Sequence, residues 1–232
     1  MRSLLPVSVI MLLASGLGLS QTRSRTAVRP APKPTPAIVP VEPSVDTGTV
    51  SGRTYTNETF NFEVTFPDTW LIPDSDFEAY MKKQGFGLSL KAPDSLPPAS
   101  KTAINQAIKR VDVLLTAYRS LPGSAENAIV RISVEDLKAN PQIKDAVDYF
   151  DAIRAMYATM KLPADFKYSE TRAEKLGAKQ FGFLDVTSTA GKKRMYATVR
   201  NGFAIMFTVS YTDAADLATF RHVLEYGNFN LK

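Results

Sequence analysis

The residues best equipped for chemistry are few. His222 is the only histidine, and there is no cysteine among the 232 residues. That excludes disulfides, thiolate metal sites, a cysteine nucleophile, lipid attachment to cysteine and a multi-histidine metal site within one chain. His222 can act as a general base only in a cleft beside a nucleophile. In the helix expected around it, each residue advances about 100°, which sets it off the apolar stripe of Leu217, Phe220 and Leu224 and toward solvent. No Gly-x-Ser-x-Gly nucleophile elbow occurs. Nor is there an EF-hand loop, a P-loop or a dinucleotide glycine fingerprint. Asp145, Asp148 and Asp151 have a spacing that can hold Ca²⁺ or Mg²⁺, but they lie among Lys144 and Arg154 on a polar helix face and read as solvated carboxylates. Glu135-Asp136 and Asp74-Asp76 read as strand and helix boundaries. No catalytic residue, metal or cofactor is expected.

Three residues stand out for contact instead. Lys192, Lys193 and Arg194 are the densest basic run outside the N-terminal tail, and are suited to an acidic partner or anionic lipid headgroups. The plainer reading is a solvated hairpin turn. Trp70, the one tryptophan, follows an aromatic strand and is expected in the core. Asn57-Glu58-Thr59 matches a glycosylation sequon, relevant only in a host that modifies such sites.

The elements that must position these groups are organised around residues 194–224. Met195, Ala197 and Val199 alternate with Arg194, Tyr196, Thr198 and Arg200, the period of a strand with one buried face. Asn201-Gly202 is a strong hairpin signal, since both residues tolerate the positive φ of a type I′ turn. Phe203, Ile205, Phe207, Val209 and Tyr211 share one face of the return strand. Asp213 or Thr212 can cap the next helix, whose stripe is Leu217, Phe220, Val223 and Leu224, with Gly227 placed to end it.

Upstream, Phe60, Phe62, Val64 and Phe66 alternate as a half-buried strand. A helix is expected from Asp74 or Ser75 to Gly85, a strand over Phe86–Lys91 and a short helix over Lys101–Ile108. Strands are expected over Val111–Arg119 and Ala128–Glu135, with Val113 and Leu115 sharing one face of the first. Asn140-Pro141 reads as a cap and first helical proline. Ile143, Val147, Phe150, Ile153, Tyr157 and Met160 then step by three or four along a long helix. Gln180–Thr189 is a further strand, and Phe229–Leu231 a short closing one. Hairpins join most strands, which favours an antiparallel α+β sandwich over parallel βαβ units.

The N-terminus is different in kind. Residues 1–20 read as a secretory signal peptide: Arg2, an apolar Leu4–Leu13 run, then small residues before a cut after Ser20. The apolar run reaches only about 16 residues, short of the roughly 20 that span a bilayer; an uncleaved anchor is the alternative. Residues 21–53 read as a linker crowded with Pro30, Pro32, Pro34, Pro36, Pro40 and Pro43, extended and partly polyproline II. Of 28 basic and 23 acidic residues, Arg2 lies in the leader, and Arg23, Arg25, Arg29, Lys33 and Arg53 face Glu42 and Asp46 in the linker. The remaining 22 and 21 leave residues 54–232 nearly neutral, which argues against a basic nucleic-acid-binding domain.

The stretch Tyr55-Thr56-Asn57-Glu58-Thr59-Phe60-Asn61-Phe62-Glu63-Val64-Thr65-Phe66-Pro67-Asp68-Thr69-Trp70 resembles the opening of PsbP-like, or Mog-like, domains. Asn201–Tyr211 resembles their late strand, and Ala214–Leu224 with Phe229 their close. The resemblance spans about residues 55–231 and is distinctive only at its ends. It implies an α/β/α sandwich around a mainly antiparallel sheet, and a binding or assembly role without a shared catalytic set. The expectation is therefore an exported, periplasmic or secreted, non-catalytic accessory protein with an envelope or extracellular protein partner. The alternatives are an exported hydrolase with a Ser/carboxylate site assembled by the fold, and a protein held weakly at an anionic membrane or wall surface by its basic tail.

Overall fold

The computed structural model describes residues 45–83, 92, 96–121, 124, 127–189 and 191–230. The leader, most of the linker and the strand expected over Phe86–Lys91 lie outside them. Residues 45–53, expected in the linker, are part of the fold. Val45 packs against the core, Asp46 accepts bonds from Gly48 N and the Thr59 hydroxyl at 2.9 and 2.8 Å, and Thr49–Ser51 form strand β1.

β1 pairs with β2 (Thr54–Asn57), which pairs with β3 (Phe62–Thr65), giving a small antiparallel sheet. The strand expected over Phe60–Phe66 is β3, and β2 precedes it to make a hairpin. Asn61, at φ 58°, makes its left-handed turn, and Phe60, Phe62, Val64 and Phe66 are all buried as expected. Helix α1 (Ser75–Lys83) is entered through Asp74, whose carboxylate accepts from Phe77 N at 2.7 Å. Helix α2 (Pro98–Ile108) begins on a proline, where no helical N–H is needed.

Among the described residues the large sheet has seven strands. β4 (Val111–Tyr118), β5 (Ile129–Asp136), β10 (Phe203–Tyr211), β9 (Gly191–Arg200) and β8 (Lys179–Ser188) lie side by side, all antiparallel. Two short strands not expected from the sequence, β6 (Lys167–Tyr168) and β7 (Arg172–Leu176), share the outer edge of β8. β4 slips register between Val113 and Leu115. This bulge buries Leu114 and Leu115 together and turns Val113 outward, so Val113 and Leu115 do not share a face.

Helices and the small sheet cover the large sheet on both sides, an α+β fold with an antiparallel sheet as its middle layer. On one face, β2–β3 and helix α4 (Ala214–Glu225) enclose an aromatic core in which Phe62, Phe181, Phe207 and Phe229 meet with ring centroids 5.2–6.2 Å apart. On the other lies helix α3 (Ala146–Thr159), over Leu184, Met195, Ala197, Ala204 and Met206. The central strands are therefore buried on both faces. β9, expected to have one wet face, buries Tyr196 and Thr198 as well as Met195 and Ala197.

Helix α4 follows its expected stripe, with Asp213 as cap. Helix α3 does not. It starts five residues after Pro141, because Asp145 caps it by accepting from Val147 N and Asp148 N at 2.8 and 2.9 Å. Asn140 and Ile143 instead belong to two successive turns leading up to it. The buried face is Ala146, Tyr149, Phe150, Ile153 and Tyr157, whereas Val147 is 41% exposed. Met160 is the C-cap. The start of α3 sits tightly on β8 at Gly182, where a Cβ would come within 2.8 Å of the Ala146 side chain.

Candidate functional site

At the β9–β10 end of the large sheet lies an open groove of about 380 Å³. Its first wall is the tight turn Asn201-Gly202, with φ of 52° and 78°, the conformation expected of this pair. Its second wall is the segment from β5 to α3. Leu137 N donates to Gly202 O at 2.8 Å and stitches the walls together. Asn140 N then bonds Leu137 O at 2.8 Å, and Ile143 N bonds Asn140 O at 3.0 Å, folding the segment into consecutive turns. Leu137, Ile143 and Val199 line the groove with largely buried apolar side chains, Lys138 and Lys144 border it, and the Arg200 guanidinium is turned to the opposite face of the sheet.

The three cations differ. Lys138 has its side chain 82% exposed and pairs with Asp136 at 3.1 Å. Lys144 is exposed, with its backbone N–H donating to Asp148 at 2.9 Å. Arg200 is structural. Its Nη1 donates to Phe60 O and Asn61 O at 3.1 and 3.0 Å, and its Nη2 to Phe229 O at 2.9 Å. It clamps the first hairpin and the C-terminal segment to β9. Its partners are neutral carbonyls, so its charge remains.

The basic run Lys192-Lys193-Arg194 lies in β9 rather than in a turn, and alternation sends its members to different places. Lys192 is exposed. Lys193 is buried beneath the α3 face, where burial, and then the nearby Arg131, push its ammonium down to about 7. Arg194 points to the opposite face. It grips Asp185 with two bonds of 2.7 Å and lies 4.5 Å from the centre of the Phe183 ring. Beside it, Tyr196 donates to Glu174 at 2.9 Å, and Arg221 of α4 pairs with the same carboxylate. The strand therefore separates the three rather than presenting them as one basic patch.

The other singled-out residues have structural employment. His222 is exposed, 3.8 Å from Glu225 and packed on Tyr226. Asp145 caps α3, Asp148 accepts from Lys144 N, and Asp151 accepts from the Thr171 hydroxyl at 2.6 Å and pairs with Arg154. Asn57 is fully buried. Its side chain donates to Asp46 O at 3.0 Å and accepts from Phe60 N at 2.8 Å, so the sequon asparagine holds the first hairpin. Trp70 is in the core.

Glu135-Asp136 close β5 as expected, but Glu135 is fully buried, and the buried Tyr149 hydroxyl donates to it at 2.8 Å. Burial, reinforced by this carboxylate, holds the Tyr149 phenol well above the ordinary tyrosine range. The groove itself was not foreseen. Its available signal was Arg200 beside a hairpin turn, but its other wall lies some sixty residues away in sequence.

A scan against protein-family models finds no match, and no curated protein matches. Among solved structures, the chain is similar to the solution structure of cyanobacterial PsbP (CyanoP) from Synechocystis sp. PCC 6803, at 13% identity and a TM-score of 0.41, covering 82% of this chain and 98% of that one.

Proposed function

We propose that this chain is an exported, non-catalytic binding or assembly-accessory module, one α+β domain carried on a proline-rich tether. The groove carries the reading. It is a concave surface between a tight turn and the β5–α3 segment, a shape suited to holding a partner. The leader-like residues 1–20, the proline spacing of the tether and the resemblance of Tyr55–Trp70 to PsbP-like domains support it. So does the use of Arg194, Asp185, Glu174 and Asn57 as ties between elements.

The test is crosslinking of the tagged chain in its native host, beside a variant lacking residues 21–44. The cut stops there because Asp46 and Arg53 are bonded into the domain. A reproducible envelope or extracellular protein partner is expected, retained by the variant if the domain holds it. A chain that stays free and monomeric under crosslinking would sink the reading.

A further inference from the structure

We infer that Asn201 is a site of spontaneous covalent modification, its side-chain amide being displaced by the Gly202 nitrogen whenever the turn opens, with the bond from Leu137 N to Gly202 O holding the turn shut. Asn201 is the only asparagine in the chain followed by glycine. Both residues are exposed, and a Cβ at Gly202 would meet nothing within 4 Å, so no side chain screens its nitrogen. Neither the Asn201 carboxamide nor the Gly202 N–H has a hydrogen-bond partner among the described residues. Other asparagine side chains are tied down: Asn57 accepts from Phe60 N, Asn105 from Ala92 N and Asn127 from Ser120 N.

The chemistry needs only water and base. Hydroxide removes the Gly202 N–H proton, and the nitrogen forms a bond to Asn201 Cγ. The Cγ–Nδ2 bond breaks, and ammonia leaves with a proton taken from water. Water then opens the cyclic imide at either of its carbonyls. One opening leaves aspartate in an unchanged backbone. The other routes the main chain through the former side chain and lengthens it by one methylene.

The fold restrains the first step. Asn201 and Gly202, at φ 52° and 78°, are held between the paired residues Arg200 and Phe203, and Leu137 N donates to Gly202 O at 2.8 Å. Ring closure requires the backbone between Asn201 and Gly202 to rotate out of this conformation. It therefore proceeds from the locally opened turn, at a rate set by the opening equilibrium. The lengthened product does not fit a tight turn of two residues, so Leu137 N loses its acceptor.

The experiment incubates the purified full chain at neutral and at mildly alkaline pH and follows each asparagine by peptide mapping with mass spectrometry. The same chain unfolded in guanidinium chloride and the variant Asn201→Gly, whose Gly-Gly pair keeps the turn without the carboxamide, run beside it. Conversion is expected at Asn201 ahead of every other asparagine. It should be faster at the higher pH, severalfold slower in the folded than in the unfolded chain, and absent at this position from Asn201→Gly. Denaturant added below the unfolding transition should raise the conversion rate and the hydrogen-exchange rate of the Leu137 amide together. In the aged chain, the fraction carrying the lengthened backbone should lose protection at Leu137. An Asn201 that stays intact in the folded chain while the unfolded chain converts would overturn the inference, as would another asparagine converting first. Equal rates in the folded and unfolded chains, or full Leu137 protection in the lengthened product, would overturn the role of the Leu137 bond. None of these readouts involves a partner, so they leave the binding-module reading to its own test.

Discussion

On one face of the large sheet, Phe181, Phe207 and Phe229 meet edge to face beneath the first hairpin and α4. On the other, the layer under α3 holds Ser133, Glu135, Tyr149, Lys193 and Thr208 among alanines and methionines. Both faces carry ionisable groups but place them differently. The aromatic face keeps Arg194, Asp185, Glu174 and Arg221 partly exposed, where they pair and stay hydrated. The α3 face buries its polar groups completely, where each depends on a specific partner. Stability on the first face should follow volume and area, and on the second, individual bonds.

Phe207→Ala gives the largest test of that contrast. It removes the ring at the centre of the aromatic layer and should cost about 3–5 kcal/mol in urea unfolding. Tyr149→Phe deletes a single oxygen on the opposite face and should cost about 1–3 kcal/mol, because the buried Glu135 loses a donor. A loss within error for Tyr149→Phe would show that the α3 face, too, is held by area alone.

The third test uses pH. Lys193 titrates near 7 when folded, against an ordinary value of 10.5. Between those values the unfolded chain holds a proton that the folded one has lost, so this residue makes stability rise with pH from about 7 toward 10.5. Below 7 both states are charged and its slope vanishes. Lys193→Met should flatten the rise between pH 7 and 9.5, as read from denaturant midpoints, and an unchanged slope would remove Lys193 as its source. The smallest effect expected is Asp145→Ala, about 1 kcal/mol, from the loss of the α3 cap. If helicity by NMR instead persists back to Pro141 in that variant, the proline and not the aspartate sets the start.

Legibility in the sequence followed the range of the interactions. The Asn201-Gly202 turn, the β5 strand and the α4 stripe are local signals, and all three appear where expected. At α3, two local signals competed. Asn140-Pro141 has the right residues for a helix start, but Asp145 supplies the bonds, and the stripe rotates to bury Tyr149 in place of Val147. The β4 bulge and the short strands β6 and β7 depend on neighbouring strands and leave little periodicity of their own. The basic run was visible as composition, but its dispersal depended on both faces of β9 being covered. The groove depended on residues 137–144 meeting residues 199–202, a pairing made by the sheet.

The Arg200 clamp also bears on when this domain can assemble. It joins β9 to residues 139 and 140 positions earlier, and the surface that buries Phe62 is formed by Phe207 and Phe229, which come later still. During synthesis at about 5–20 residues per second, the first hairpin must wait roughly 7–30 s for its docking surface to leave the ribosome. Throughout that interval four large apolar side chains on a short hairpin have nothing to cover them, and an isolated hairpin has little stability of its own. The first hairpin is thus exposed to aggregation while nascent, and is secured only once β10 and Phe229 are in place.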